Sequence, residues 1–226
     1  MRQGHSGMDQ RNVQSKVGVT LVGGGVIHRK DLVDSVALAP ILVAADGGAN
    51  ACFREGFVPK TIIGDFDSIL PETVTGLTTS VQIKVEEQDS TDFEKCLSRI
   101  AAPFVLAVGF TGNRLDHLLA VFSVMARHIG PPVILVDQTN VVFFAQSAVT
   151  LDLAVGTPVS LFPFAPVSGR AHGLKWPIDG LELSPVGQIS TSNEATGPVT
   201  LELENPGCAV ILPRHSLETA IMALPS

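Results

Sequence analysis

The sequence predicts an α/β protein: an N-terminal Rossmann-like, mainly parallel sheet with helices on both faces, followed by a C-terminal antiparallel β-sandwich. Two observations predict this fold class. From residue 17 to about residue 140, short apolar runs rich in β-branched residues alternate with segments of helical period. Residues 141–226 instead hold nine of the 15 prolines and short strand-like runs between turns.

The N-terminal unit contains six candidate buried strands, each short and bounded by Gly, Asp or Pro. They span residues 17–22, 41–45, 61–63, 81–85, 104–108 and 133–136. One helical stripe runs from Phe93 to Ile100, and a longer one runs from Leu115 to Ile129. Strands and helices that alternate in this way favour parallel pairing with both faces of the sheet covered.

The chain therefore divides into three segments. Residues 1–16 are polar and have no apolar stretch of the kind found in signal peptides, so we expect a disordered tail. The α/β unit covers residues 17–140, and the sandwich covers residues 141–226. Strands of the sandwich are expected at residues 141–144, 159–164, 181–183 and 199–203.

The composition excludes several classes of protein. Apolar residues make up 45% of the chain and charged residues 16%, which excludes global disorder. The net charge of -7 opposes binding to nucleic acid and suits a small cationic ligand. No apolar run approaches the ~18 residues that cross a bilayer, so we expect no membrane partner. Three well-separated cysteines indicate no disulfide framework, and the reducing cytoplasm is the expected location.

Three acidic motifs follow predicted strands. Residues 46–50 read DGGAN, residues 64–68 read GDFDS and residues 88–92 read QDSTD. Ligands of open α/β sheets bind outside the carboxyl ends of the strands, so we expect the three motifs to lie over one crevice.

The acidic side chains of these motifs are candidate Mg²⁺ ligands, because Mg²⁺ prefers oxygen ligands and is often shared with substrate phosphates. They are Asp46, Asp65, Asp67 and Asp92. Each Asp taken alone also fits a turn or a helix N-cap, and Thr91 or Asp92 can cap the helix that begins near Phe93. Four mutually repelling carboxylates at neighbouring strand ends favour a shared cation.

Glycine-bearing loops offer phosphate sites. Residues 23–25 are all glycine and fit either a phosphate contact or a tight turn. Residues 109–117 read GFTGNRLDH and join a strand to a helix, which brings backbone N–H groups and Arg114 near a helix N-terminus. Alternatively, Arg114 balances Asp116 as a structural pair. His117 is interpreted as a packing residue.

The second unit contains the only tryptophan of a chain without tyrosine. Trp176 can stack on a heteroaromatic ring or a delocalised cation, or it can fill the core of the sandwich. A polar cluster at residues 190–194 fits either a ligand contact or a hairpin turn.

Taken in order, ADGGAN, GDFDSI, QDSTDFEKCL, GFTGNRLDH, GLKW and STSNE resemble the motifs of the thiamine pyrophosphokinase family. The resemblance implies a nucleotide-binding catalytic domain over residues 17–140 and a thiamine-binding domain over residues 141–226. It implies a homodimer whose active sites lie between subunits. The implied reaction is ATP + thiamine → AMP + thiamine diphosphate, with Mg²⁺ as cofactor and ATP as co-substrate.

The resemblance also implies residue roles. The metal ligands are Asp46, Asp65, Asp67 and Asp92, of which the last three are also catalytic. The nucleotide contacts are Gly47, Gly48, Asn50, Thr91 and Arg114. The thiamine contacts are Gln88, Asp116, Trp176, Ser190, Ser192 and Asn193.

Two other functions fit the same motifs. A Mg²⁺-dependent phosphatase would use Asp65 as its nucleophile, as DxD motifs also suggest. A noncatalytic nucleotide or thiamine sensor would use the site for binding alone. AMP formation that depends on thiamine separates the kinase from both.

Overall fold

The structure is a computed structural model that describes residues 12–87, 89–112 and 114–225. It has a mixed α/β fold with one large sheet, smaller sheets and helices. The strands are β1 (Val13–Gln14), β2 (Val19–Val22), β3 (Ile41–Ala45), β4 (Thr61–Gly64), β5 (Val81–Lys84), β6 (Ile100–Ala101), β7 (Val105–Val108), β8 (Val133–Val136), β9 (Asn140–Ala145), β10 (Ala148–Leu151), β11 (Pro158–Pro163), β12 (Val167–Leu174), β13 (Glu182–Leu183), β14 (Ser190–Leu203) and β15 (Cys208–Pro213). The helices are α1 (Arg29–Leu38), α2 (Gly48–Arg54), α3 (Pro71–Gly76), α4 (Asp92–Leu97), α5 (Leu115–Arg127) and α6 (Leu217–Met222). Within the described ranges, no helix is both long enough and apolar enough to cross a lipid bilayer.

The N-terminal strands pair in parallel in two groups, β3–β4–β5 and β2–β7–β8. The groups lie side by side, because Pro40, just before β3, bridges to Val19 of β2. Every residue of β2, β4, β7 and β8 is buried, as expected for parallel strands covered on both faces. The six strands predicted in this unit are confirmed, with small shifts at their ends.

Helices cover both faces of this sheet. Leu32 of α1 packs in one apolar cluster with Val22 of β2. Phe93 of α4 and Met125 of α5 pack in a second cluster with Leu21. Leu21 and Val22 are neighbours on one strand, and successive strand side chains point to opposite faces. The two clusters are therefore the two faces of the sheet.

The segment before β2 differs from the predicted tail. Residues 1–11 lie outside the described residues, but Val13–Gln14 form β1, parallel to Ile100–Ala101 of β6. Val13 is buried, and this burial orders the end of a segment that was predicted to be disordered to residue 16. Ile100 pairs here, so the helical stripe predicted to reach it ends at Leu97.

The C-terminal strands continue the N-terminal sheet across the predicted domain boundary. β8 pairs with β9, which pairs with β15, and β15 pairs with β11, all antiparallel. β14 pairs with β11 through its first residues and with β12 and β10 through its later ones. The polar cluster at residues 190–194 is therefore the start of a strand, and its interpretation as a hairpin turn is wrong.

Candidate active site

A cleft of about 820 Å³ lies at the carboxyl ends of the parallel strands. The ends of β3 and β4, the start of α4 and the glycine loop before α5 all contribute to its lining. Its lining includes every candidate metal ligand, Asp46, Asp65, Asp67 and Asp92. The prediction that the acidic motifs lie over one crevice is confirmed for the described residues.

Three of the four carboxylates converge. One oxygen each of Asp46, Asp65 and Asp67 lies within 4.8 Å of the others. Asp46 is buried, and its Oδ1 accepts a hydrogen bond from the Phe66 N–H at 2.9 Å. Asp46 and Phe66 both have positive φ, of 41° and 71°, which non-glycine residues rarely adopt. The two loops are thus held in uncommon backbone conformations at the point where the carboxylates meet.

Asn50 connects α2 to the GDFDS loop. Its Nδ2 donates to the Ser68 carbonyl at 2.8 Å, and its Oδ1 accepts from the Leu70 N–H at 3.0 Å. Asn50 lines the cleft, but both ends of its amide are bonded to the loop that carries Asp65 and Asp67. In this arrangement Asn50 orients the acidic loop, a role that its motif alone did not reveal.

The two glycines beside Asn50 have different surroundings. Gly47 lines the cleft. Gly48 is buried, and a Cβ there would lie 2.1 Å from the Val22 carbonyl oxygen of β2. Gly48 therefore lets α2 pack closely on the sheet and is not part of the cleft lining.

Asp92 lies beside a buried lysine rather than among the three converging carboxylates. Lys95 Nζ is 3.2 Å from Asp92 Oδ1 and 3.5 Å from Asp65 Oδ2, and the Lys95 side chain is only 4% exposed. Burial raises the pKa of the Asp92 carboxyl, an effect that Lys95 opposes and that the Asp46 and Asp65 carboxylates reinforce. Burial alone would lower the pKa of Lys95, but bonds and charges from Asp92 and Asp65 outweigh it and raise that pKa.

Sequence reasoning did not single out Lys95. The available signal was its position in the QDSTDFEKCL motif, one helical turn after Asp92. Thr91, expected near the nucleotide, lines the cleft and also caps α4, because its Oγ1 accepts from the Glu94 N–H at 3.3 Å.

The glycine loops pack against each other at one side of the cleft. The Gly25 N–H donates to the Gly109 carbonyl at 2.8 Å, and a Cβ on Gly25 would lie 2.6 Å from the Thr111 carbonyl oxygen. The Thr111 hydroxyl donates to Asp137 Oδ1 at 2.6 Å, which anchors the second loop to the end of β8. Glycine at position 25 is thus required by the close approach of two backbones.

Arg114 lines the cleft and pairs with Asp116, as the structural alternative predicted. Arg114 Nη2 is 2.6 Å from Asp116 Oδ2, and the hydrogen bond to the guanidinium lowers the pKa of Asp116. Both side chains are about two-thirds exposed, so the pair contributes little to stability. Asp116 is not part of the cleft lining.

His117 is exposed and lines the cleft, so its interpretation as a packing residue is wrong.

The expected thiamine contacts of the second unit form a separate patch. Gln88 lies outside the described residues. The Trp176 patch, as we call it, consists of Trp176, Ser190, Ser192 and Asn193, and none of these residues lines the cleft of its own chain.

Asn193 holds the patch together. It is buried, its Oδ1 accepts from the Trp176 N–H at 3.1 Å, and its Nδ2 donates to the Trp176 carbonyl at 2.7 Å. Ser192 has a φ of 60°, and its N–H donates to Ser160 Oγ at 2.9 Å. The Trp176 side chain is 54% exposed with Lys175 Nζ 4.9 Å from its ring centroid, so the core-filling interpretation is wrong.

Comparisons with known proteins cover both parts of the chain. The family profile described as "Thiamin pyrophosphokinase, catalytic domain" matches residues 33–135. The profile described as "Thiamin pyrophosphokinase, vitamin B1 binding domain" matches residues 148–207.

Individual relatives agree with these profiles. Thiamine pyrophosphokinase 1 of Oryza sativa subsp. japonica is 28% identical over 189 residues, which cover 69% of this chain and 72% of the relative. Thiamin pyrophosphokinase 1 of Caenorhabditis elegans is 29% identical over 174 residues, and the match covers 68% of this chain and 71% of the relative.

Solved structures share the fold. Yeast thiamin pyrophosphokinase superposes with a TM-score of 0.74 at 18% identity, covering 96% of this chain and 92% of that one. Thiamin pyrophosphokinase from Candida albicans superposes with a TM-score of 0.73 at 17% identity, covering 89% of this chain and 93% of that one. With both profiles matched along most of its length, the chain belongs to the thiamine pyrophosphokinase family.

Proposed function

We propose that the protein transfers pyrophosphate from ATP to the hydroxyethyl oxygen of thiamine, forming thiamine diphosphate and AMP in a Mg²⁺-dependent reaction. The observation that carries the proposal is the convergence of Asp46, Asp65 and Asp67 in a cleft bordered by glycine loops. Membership of the family supplies the substrates.

The donor set fits Mg²⁺. Three carboxylate oxygens within 4.8 Å of one another are hard ligands, and such a site is commonly completed by waters and substrate phosphates. A bound Mg²⁺ would neutralise charge that builds up on the phosphates during transfer. Asp46, fixed by the Phe66 N–H, and Asp65 and Asp67, carried on the loop that Asn50 holds, would bind the ion.

The other cleft residues orient the nucleotide in this proposal. Backbone N–H groups of the glycine loops and of the first turn of α5 suit phosphate oxygens. Arg114 exchanges Asp116 for a phosphate, at small cost because the pair is exposed. In-line attack on the β-phosphorus then depends on positioning more than on covalent chemistry by the protein. Gly47 and Thr91 border the same space.

A homodimer completes the site. Trp176 and Ser192 are exposed, and no residue of the Trp176 patch lines the cleft of its own chain, which supports delivery of the patch by a partner subunit. The indole would stack on a thiamine ring, with Gln88 and Asp116 as further contacts. An acidic cleft attracts the thiazolium cation.

In the proposed protein, residues 17–140 form a Rossmann-like nucleotide-binding catalytic domain and residues 141–226 form a thiamine-binding β-sandwich. The parallel ladders of the first part, the antiparallel ladders of the second and the separate family profiles support this division. Three free cysteines support a reducing, cytoplasmic location.

One assay tests the function. Purified protein is incubated with ATP, with and without thiamine and Mg²⁺, and AMP, thiamine diphosphate and phosphate are quantified. We expect AMP and thiamine diphosphate in equal amounts, and neither product when thiamine or Mg²⁺ is omitted. Phosphate release without AMP, or an aspartyl-phosphate trapped on Asp65, would indicate a phosphatase. The absence of any product would indicate a sensor.

A further inference from the structure

We infer that Lys95 is a positioning residue, a fixed positive charge that holds Asp65 and Asp92 and separates Asp92 from the metal-binding trio of Asp46, Asp65 and Asp67. The inference deepens the proposed function, because it rests on the proposed Mg²⁺ site.

The contacts of Lys95 are specific. Its Nζ bridges Asp92 Oδ1 at 3.2 Å and Asp65 Oδ2 at 3.5 Å, while Asp65 Oδ1 accepts from the Asp67 N–H at 3.4 Å. The side chain is 4% exposed, and a buried ammonium is costly unless it is paired. Both partners of this ammonium line the same cleft.

The helix that carries Lys95 is firmly anchored. Phe93 and Leu97 are buried in the apolar cluster on one face of the sheet. Glu94 forms a bidentate ion pair with Arg127 of α5, with Arg127 Nη1 2.5 Å from Glu94 Oε1 and Nη2 2.8 Å from Oε2. The Lys95 carbonyl accepts from the Ser98 hydroxyl at 3.0 Å and from the Arg99 guanidinium at 2.9 Å. The base of the lysine side chain is therefore fixed, and its charge stays beside Asp65 and Asp92.

In the proposed site, the four carboxylates are divided between a divalent ion and the Lys95 ammonium. Three converge where a divalent ion fits, and the fourth, Asp92, is balanced by Lys95. Because Asp65 contacts both groups, the charge of Lys95 opposes binding of a cation to the proposed Mg²⁺ site. Removing that charge therefore has an unusual signature: tighter Mg²⁺ binding together with poorer turnover.

The test compares Lys95→Met, which keeps the aliphatic stem, with Lys95→Arg, which keeps the charge, and with the control Lys30→Met. Lys30 is an exposed lysine of α1 paired with Asp34, outside the cleft lining. Full-length proteins are melted in EDTA and in Mg²⁺, Mg²⁺ binding is measured by calorimetry, and kcat is measured with saturating ATP and thiamine.

We expect Lys95→Met to melt lower than the wild type in EDTA and to gain more in Tm from Mg²⁺. Its Kd for Mg²⁺ falls by about tenfold, because a unit charge next to the site has been removed, while its kcat falls. Lys95→Arg keeps the wild-type Kd for Mg²⁺ and the wild-type rise in Tm on adding Mg²⁺. Lys30→Met matches the wild type in every measurement. A rise in the Tm of Lys95→Met on adding Mg²⁺ that is equal to or smaller than the rise in the wild-type Tm would overturn the inference.

Two further variants keep the outcomes separate. If Lys95→Met shows no cooperative melt, Lys95→Met with Asp92→Asn should melt cooperatively, because the unbalanced carboxylate is gone; failure to recover would also overturn the inference. Asp67→Asn should abolish the Mg²⁺ response. If it does so while Lys95→Met matches the wild type, the inference fails and the proposed Mg²⁺ site stands. If neither the wild type nor any variant responds to Mg²⁺, the proposed site fails as well.

Discussion

At the scale of single residues, backbone conformation marks the site. Among the described residues, three non-glycine residues have positive φ: Asp46, Phe66 and Ser192. The first two lie where the acidic motifs meet, and the third lies in the Trp176 patch. Such conformations cost free energy and persist where the surrounding structure enforces them, which is common at functional sites. All three belong to motifs that the sequence already indicated.

Asp67→Asn should reduce AMP formation by about a thousandfold or more, since a carboxylate of the proposed Mg²⁺ site is lost from the transition-state environment. Asp67 is exposed, so the Tm should change little. The exposed Asp152, replaced in the same way, is the control. Wild-type turnover in purified Asp67→Asn would contradict a metal-binding role.

Trp176→Ala should raise the KM for thiamine by roughly tenfold, because the proposed stacking surface for the thiamine ring is lost. The KM for ATP should change much less. The side chain is 54% exposed, so unfolding should be affected only slightly. Trp176→Phe serves as the aromatic control. Equal increases in both KM values, or a large drop in Tm, would argue against a thiamine contact.

At the scale of elements, strands and helices with a strong apolar pattern were predictable, and helices without one were not. The buried strands and the stripes of α4 and α5 are visible in the sequence because their burial follows a simple period. α1, α2 and α3 were not predicted: α2 contains small residues packed closely on the sheet, and α3 has only one fully buried residue. Their helical state depends on tertiary packing more than on a local stripe.

The end of α5 carries a pH-dependent contribution to stability. His128 caps this helix, its Nε2 lies 3.2 Å from the Pro131 carbonyl oxygen, and burial lowers its pKa from the ordinary value of 6.5. The unfolded chain therefore binds a proton more readily than the folded chain. The stability is present above pH 6.5 and is lost as the pH falls toward the lower folded pKa.

Between pH 7.5 and pH 5.5, the Tm of His128→Gln should accordingly fall less than the Tm of the wild type. Thermal unfolding at both pH values measures the two changes. His172, exposed on β12, provides a matched control, and its replacement by Gln should leave the pH dependence unchanged. If the His128 variant and the wild type show the same pH slope, the contribution belongs to another group.

At the scale of the whole molecule, the proposed site is divided between two surfaces. The cleft lies at the carboxyl ends of the parallel strands, whereas the Trp176 patch lies on β14 and at the end of β12. Continuous pairing from β2 through β8 and β9 to β11 makes one sheet run through both parts of the chain. No residue of the Trp176 patch lines the cleft of its own chain, so a second copy is the proposed source of a completed site.

A mixed dimer tests this arrangement. Asp67→Asn and Trp176→Ala chains carrying different tags are co-expressed, and dimers bearing both tags are purified. We expect about half of the wild-type activity at low thiamine, because one of two shared sites has both residues intact. Sites built within single chains would give no more than half of the activity of Trp176→Ala alone.

The sequence by itself determined the order of strands and helices in the first unit, the strand-rich character of the second, and the motifs that identify the family. These features are local: a period, a turn or a run of residues carries each of them. Only the tertiary structure decided that Asp46, Asp65 and Asp67 converge while Asp92 pairs with Lys95, that Asn50 holds the acidic loop, and that Trp176 is exposed. The physical reason is that distances, burial and strained backbone depend on how strands far apart in the sequence pack together, and no local pattern encodes that packing.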